Sequence, residues 1–194
     1  MTDDKGRGPG RPRDTSIDAR VLDATRALLV EVGFSATTIS AIATRSGIPN
    51  STIYRRWPSR IALIEAAAAP PVPDLGPPSG DLARDLRRFE RALHDAFASP
   101  VARAALLGLL SAYQEGHPSR PADERLRDSW RPAFNAVLDH AAPGLVDHDV
   151  DRDQAFDLLL GSLLVQTFVP TWGTRRRRDL PATPLLLRAL RPRA

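Results

Sequence analysis

Apolar residues recur along this chain at helical intervals, and no stretch alternates as a strand would. Ile17, Val21, Ala24, Leu28 and Val32 lie three or four apart, the spacing that gathers side chains on one helix face. Gly33 closes the run, and Thr15 with Asp18 three residues on resembles a capping box at its start. A second helix begins at Thr37 or Thr38, carries Ile39, Ile42 and Ala43 on one face and stops at Gly47. Glycine takes positive φ just past a helix end without steric cost. A third, short helix spans Asn50 to Trp57, and Pro58 prevents its continuation. The fourth starts near Ser59 and runs through the alanine-rich stretch IALIEAAAA.

Prolines in PPVPDLGPPSGD, residues 70–81, exclude a long helix and mark a linker. Beyond it the pattern predicts helices at 81–98, 100–115, 119–141, 151–172 and 180–190. Residues 1–13 are rich in Gly, Pro and charge without apolar periodicity, which predicts a disordered arm. The expected fold is all-α, with about nine helices. Its parts are a basic arm (1–13), a small helical domain (14–69), a Pro-rich linker (70–80) and a second helical domain (81–194).

Composition narrows the function classes. No apolar run approaches the roughly 18–20 residues that cross a bilayer, and no basic-then-apolar leader opens the sequence. Cysteine is absent, which removes disulfide and thiolate chemistry. A cytoplasmic location is expected. Net charge is +4, and its distribution is uneven. From Lys5 to Arg60 there are ten Lys and Arg against four acids, whereas from Ile61 onward basic and acidic residues balance. A basic module joined to a neutral one is the footprint of a nucleic-acid-binding domain carrying something else; an uneven solvated surface is the alternative.

The second and third helices form a candidate helix–turn–helix, joined by roughly Ser46 to Pro49. Its second helix must pack by one face and enter the major groove by the other. Ile53 and Trp57, four apart, suit the inner face; Ser51 and Arg55, also four apart, suit the opposite one. Asn50, Ser51 and Thr52 place small hydrogen-bonding groups at the first turn. Asn pairs bidentately with adenine and Arg with guanine. Tyr54 lies to one side, suited to a phosphate, and Arg60 opens the fourth helix, where free N–H groups attract the same ligand.

The stretch GFSATTISAIATRSGIPNSTIYRRWPSRIAL, residues 33–63, resembles the DNA-binding signature of the TetR family of bacterial transcription regulators. The matching pieces are Gly33-Phe34, Thr37-Thr38, Ile42-Ala43, Gly47, Ile53-Tyr54, Trp57-Pro58-Ser59 and Leu63. Pro49 stands where a Ser-like cap is common, Trp57 where Phe is common and Arg60 where Lys is common. The resemblance implies that Thr38, Tyr54 and Arg60 contact phosphates while early residues of the third helix read bases. Thr37, Arg55 and Arg56 complete the candidate surface. It also implies a variable C-terminal domain for effector binding and dimerisation. Gly-Arg-Pro in the arm resembles an AT-hook core, so Arg11 and Arg13 are candidate minor-groove contacts; a solvated tail is the alternative.

In the C-terminal part, residues 158–169 are nearly apolar on every side, which calls for burial on every side. A core on one face and a second copy of the chain on the other would satisfy that; a central helix of a monomer is the alternative. Leu158, Gly161, Ser162 and Val165 are the expected dimer contacts, with Leu186 and Leu190 from the last helix, where the resemblance implies a four-helix interface. Candidate effector contacts are Tyr113, Trp130, Phe134, Gln166, Phe168 and Trp172, an apolar set with few polar handles. Asp147, His148, Asp149, Asp151 and Asp153 lack calcium-loop spacing and read as solvated acids, so neither metal nor cofactor is expected. Arg175 to Arg178 read as a solvated loop.

The expected function is a ligand-responsive regulator, a homodimeric repressor released from a near-palindromic operator by an inducer. An architectural DNA protein, or a helical carrier or enzyme with a basic N-terminus, are the alternatives. No Ser/His/Asp set or paired carboxylates support catalysis.

Overall fold

A computed structural model of the chain describes residues 15–69, 72, 74–116, 130–169 and 181–192. Among them the periodic segments form nine α-helices and no strand. These are α1 (Thr15–Ala36), α2 (Ile39–Ser46), α3 (Asn50–Arg56), α4 (Arg60–Ala68), α5 (Leu82–Ala98), α6 (Pro100–Gln114), α7 (Arg131–Asp139), α8 (Arg152–Phe168) and α9 (Thr183–Ala189). Of the expected helices, 119–129, 170–172 and 180 lie outside the described residues. No single described helix is long and apolar enough to cross a membrane.

Local chemistry sets most helix ends. Thr38 accepts from Ala41 N at 3.1 Å and caps α2. Gly47 closes it at φ 67°, its N–H reaching Ala43 O at 2.9 Å. Ser59 caps α4 and Ser99 caps α6, with Pro100 at the first helical position. Gly33 closes the regular run as expected: its backbone is non-helical at φ 78°, ψ 178°, and a short further turn carries the chain to Ala36. Asp18, in the first turn of α1, accepts a hydrogen bond from Arg56 Nη1.

The apolar faces meet in three clusters. Val21, Ile42, Ile53 and Leu63, all fully buried, knit α1 to α4, and Ile48 packs with them. Phe89, Trp130, Phe134 and Phe156 form an aromatic core for α5, α7 and α8, with neighbouring ring centroids 5.5–5.7 Å apart. Each such burial contributes about 1.5–3 kcal/mol. Between the two, Leu29 of α1 and Ile64 of α4 pack on Ala105 and Leu109 of α6. That third cluster joins the helix–turn–helix end to the rest of the chain.

Two carboxylates, one buried and one half-buried, bind the backbone of other segments. Asp85, 2% exposed, accepts from Ser79 N at 2.7 Å and Gly80 N at 3.2 Å, so it pins the end of the linker to α5. Glu90 of α5 accepts from the N–H groups of Ala182 and Thr183 and from the Thr183 hydroxyl. It thereby caps α9, whose own N-cap residue, Ala182, offers no oxygen.

The tightest joint lies on α6. A Cβ added to Gly108 would come within 2.3 Å of the Phe34 ring. Alanine there gains roughly 1 kcal/mol of helix propensity, but overpacking costs about 1–3 kcal/mol. Gly108→Ala is therefore expected to lower stability by about 1–2 kcal/mol, measured by urea unfolding. Added to Phe34→Ala it should cost far less, because the clash is gone; equal costs in both backgrounds would refute the contact.

Candidate nucleic-acid interface

α3 begins where Pro49 replaces a side-chain cap with its backbone. Pro49 O accepts from Thr52 N at 2.9 Å and Ile53 N at 3.1 Å. Ile48, just before Pro49, is buried on the core side of the turn. The helix then divides as its spacing dictates. Ile53 is fully buried and Trp57, just past the helix, is half-buried against the same cluster. Asn50, Ser51, Tyr54 and Arg55 are exposed, and Thr52 is half-buried. Thr38 at the start of α2 is also exposed, though its hydroxyl oxygen is held by the cap.

Charge on this end is largely committed to internal partners. Arg20 Nη2 donates to Ser46 O at 2.6 Å, closing α2 against α1. Arg26 donates to Asp23 Oδ1 at 2.8 Å and Ala67 O at 3.0 Å. Arg45 forms a two-pronged pair with Glu31, whose carboxyl its hydrogen bonds hold below the ordinary range. Among arginines 20, 26, 45, 55, 56 and 60, Arg55 alone has no such partner among the described residues.

Three expected DNA contacts change role. Thr37 is fully buried, its hydroxyl donating to Gly33 O at 2.7 Å, and so it builds the α1–α2 corner instead of facing a phosphate. Arg56 is bonded to Asp18, with its side chain only 12% exposed, and ties α3 to α1. Arg60 donates to Thr37 O at 2.8 Å and to Phe34 O, and its guanidinium lies 4.5 Å from the Phe34 ring centroid. Burial lowers its pKa, but a guanidinium stays charged. Arg60 is thus a corner residue whose charge lies beside the candidate surface. Arg11 and Arg13 lie outside the described residues.

The C-terminal candidates also separate. Trp130 and Phe134 are buried in the aromatic core, where their rings meet Phe89 and take up a packing role. Gln166 Nε2 donates to Ser162 Oγ at 3.1 Å along its own helix, and Phe168 is half-buried. Trp172 lies outside the described residues, as do Arg175 to Arg178. Tyr113 lines a cavity of about 140 Å³ between α4, α5 and α6. On α8, Leu158 is 62% and Val165 49% exposed, with Gly161 exposed and Ser162 half-buried between them. Leu186 and Leu190 are buried in the core, which removes them as dimer contacts; the exposed leucine of α9 is Leu185, at 69%. Asp147, His148 and Asp149 bring ligand atoms within 4.8 Å of one another on an exposed turn. Asp147 Oδ1 there accepts from Asp149 N, which accounts for the clustering.

Comparison with known proteins follows this geometry. Residues 21–67 match the family described as bacterial regulatory proteins, tetR family, and residues 76–178 match a tetracyclin repressor-like C-terminal domain. An uncharacterised HTH-type transcriptional regulator of Mycobacterium bovis is 30% identical over 185 residues, covering 84% of this chain and 79% of that protein. The HTH-type transcriptional regulator AqdR of Rhodococcus erythropolis is 28% identical over 191 residues, covering 93% of this chain and 88% of its own. The crystal structure of a TetR transcriptional regulator from Agrobacterium tumefaciens shares the fold at a TM-score of 0.60, with 24% identity over 92% of this chain and 94% of that one.

The two neighbouring arginines of α3 should behave oppositely in the absence of DNA. Arg56→Ala leaves Asp18 without its donor and is expected to cost about 1–3 kcal/mol. Arg55→Ala removes no partner and should leave the unfolding midpoint within experimental error. Chemical denaturation of both variants checks this, and equal destabilisation would contradict the assigned geometry.

Proposed function

The chain belongs to the TetR family of bacterial transcription regulators, and on that premise we propose that it represses transcription as a ligand-released homodimer on a near-palindromic operator. It acts by binding and not by catalysis, in the cytoplasm and on the nucleoid. Arg55 is the observation that carries the reading. An uncommitted guanidinium on the outer face of a helix whose inner face is locked by Ile53 is what base reading requires. Asn50 and Ser51 flank it as base-edge contacts, with Thr52 beside them. Thr38 and Tyr54 serve the phosphates, and Arg11 and Arg13 of the arm serve the minor groove.

Two-fold pairing supplies the second half-site. The stripe of Leu158, Gly161 and Val165 on α8, with Leu185 on α9, is the apolar surface that a second copy covers. Two α3 helices about 34–36 Å apart then enter successive major grooves on one side of the DNA. A small molecule in the C-terminal domain favours an arrangement in which that spacing no longer fits.

Selection of bound DNA from the genome, followed by gel shifts, tests the regulator reading. Arg55→Ala is expected to cost about 1–3 kcal/mol on the selected site and to relax discrimination at one base pair. Removing residues 1–13 should flatten the salt dependence in the same titration. Sequence-indifferent binding by the intact chain would favour the architectural alternative.

For the dimer, Leu158→Asp combined with Val165→Asp places charge on the exposed stripe without touching the core. Light scattering should show the mass halved, with helical content kept. A double variant still dimeric at micromolar concentration would move the interface elsewhere.

A further inference from the structure

Specific binding is a difference between affinity for the operator and affinity for all other DNA. Arg55 acts on the first of these. The ion pair between Arg56 and Asp18, which joins α3 to the first turn of α1, acts on the second.

Helix α3 has seven residues, too few to stand as a helix without attachments. Ile53 anchors its middle in the core, and Ile17 and Trp57 pack on the same cluster. Its last turn is held by Arg56, whose Nη1 donates to Asp18 Oδ1 across 38 residues. Asp18 is the only hydrogen-bond partner of Arg56 among the described residues, since Nε is shielded from solvent and reaches none. The Arg56 side chain is 12% and that of Asp18 30% exposed, so salt screens this pair less than a surface one.

Removing the carboxylate alone leaves a guanidinium with neither a partner nor full hydration, and its long side chain then turns outward. It emerges one residue from Arg55. A free arginine there meets phosphate, which every DNA sequence offers, and such a contact adds affinity without discrimination. Loss of the tether also loosens the last turn of α3, and with it the backbone that aims Arg55.

We infer that Asp18 determines specificity without touching DNA: it positions α3 and withholds Arg56 from the phosphates, leaving Arg55 as the arginine of α3 free to read a base. This rests on the reading of α3 as the recognition helix of a regulator.

Asp18→Asn removes the negative charge and keeps the shape, whereas Arg56→Gln removes the positive one. Fluorescence anisotropy titrations on the selected operator and on a random duplex, over a range of salt concentrations, separate their roles. In Asp18→Asn the random duplex should bind more tightly, with a salt slope steeper by about 0.9, the increment of one phosphate. Discrimination between operator and random duplex should fall by about tenfold. Arg56→Gln should lose operator affinity with no gain on the random duplex. Melting curves confirm folding, and Asp18→Ser replaces the asparagine variant if that one unfolds. A pair with a purely structural role would shift both variants alike. That result, or a wild-type slope and discrimination in Asp18→Asn while the intact chain selects its operator, would overturn the proposal alone. An intact chain that binds every duplex equally would overturn it together with the regulator reading.

Discussion

The Phe34 ring lies between a bare helix backbone and a guanidinium, and the two halves of the molecule meet there. On one side Gly108 of α6 leaves no room for even a methyl group. On the other Arg60 stacks over the ring and bonds to the carbonyls of Phe34 and Thr37. Positive φ at Gly33 turns the chain so that Phe34 can reach this position. One aromatic side chain therefore fixes the direction of α2, through Thr37 and Thr38, and the contact of α1 with α6. Because close-packed joints shift between discrete arrangements and do not deform smoothly, α6 cannot slide without moving the helix–turn–helix corner.

Internal pairing reshapes what the basic end presents. Counted along the sequence, residues 5–60 carry a clear positive excess. In the fold much of that charge is spent on structure: Arg20 closes α2, Arg26 holds the end of α4, Arg56 ties α3 to α1 and Arg60 braces the corner. The fixed charges still contribute to a positive field that draws a polyanion. Specific reading needs a donor with freedom to choose its partner, and α3 supplies that at Arg55.

Much of this was legible in the sequence, for a physical reason. Helix ends are local: Gly47, Pro49, Ser59 and Pro100 act through their own backbones or the next turn, so their types and spacing announce them. The inner face of α3 was equally readable, since Ile53 and Trp57 are four apart. What failed was long-range. Periodicity showed that the last helix has an apolar face but not which leucines find the core; burial chose Leu186 and Leu190 and left Leu185 outside. The Asp18–Arg56 pair spans 38 residues and the Glu90 cap of α9 spans 92 or more, distances at which spacing carries no signal. The aromatic candidates divided for the same reason. Trp130 and Phe134 joined the aromatic core, whereas Tyr113 borders a cavity walled by the small alanines of α4.

Helix α4 is where these strands of chemistry converge. Its first residue, Arg60, braces the corner that positions α2, and its last turn is held by Arg26 through Ala67 O. Ile64 packs on α6, while Ala68 and Ala69 border the cavity beside Tyr113. Nine residues of helix span only about 13 Å and move as a rigid rod. A displacement at the end of α4 is therefore felt at Arg60, with no chain of intermediates required. The power of any ligand over such a joint is limited by its differential affinity for the two positions of the rod. To turn a population from 99:1 to 1:99 it must favour one position by about 5.5 kcal/mol.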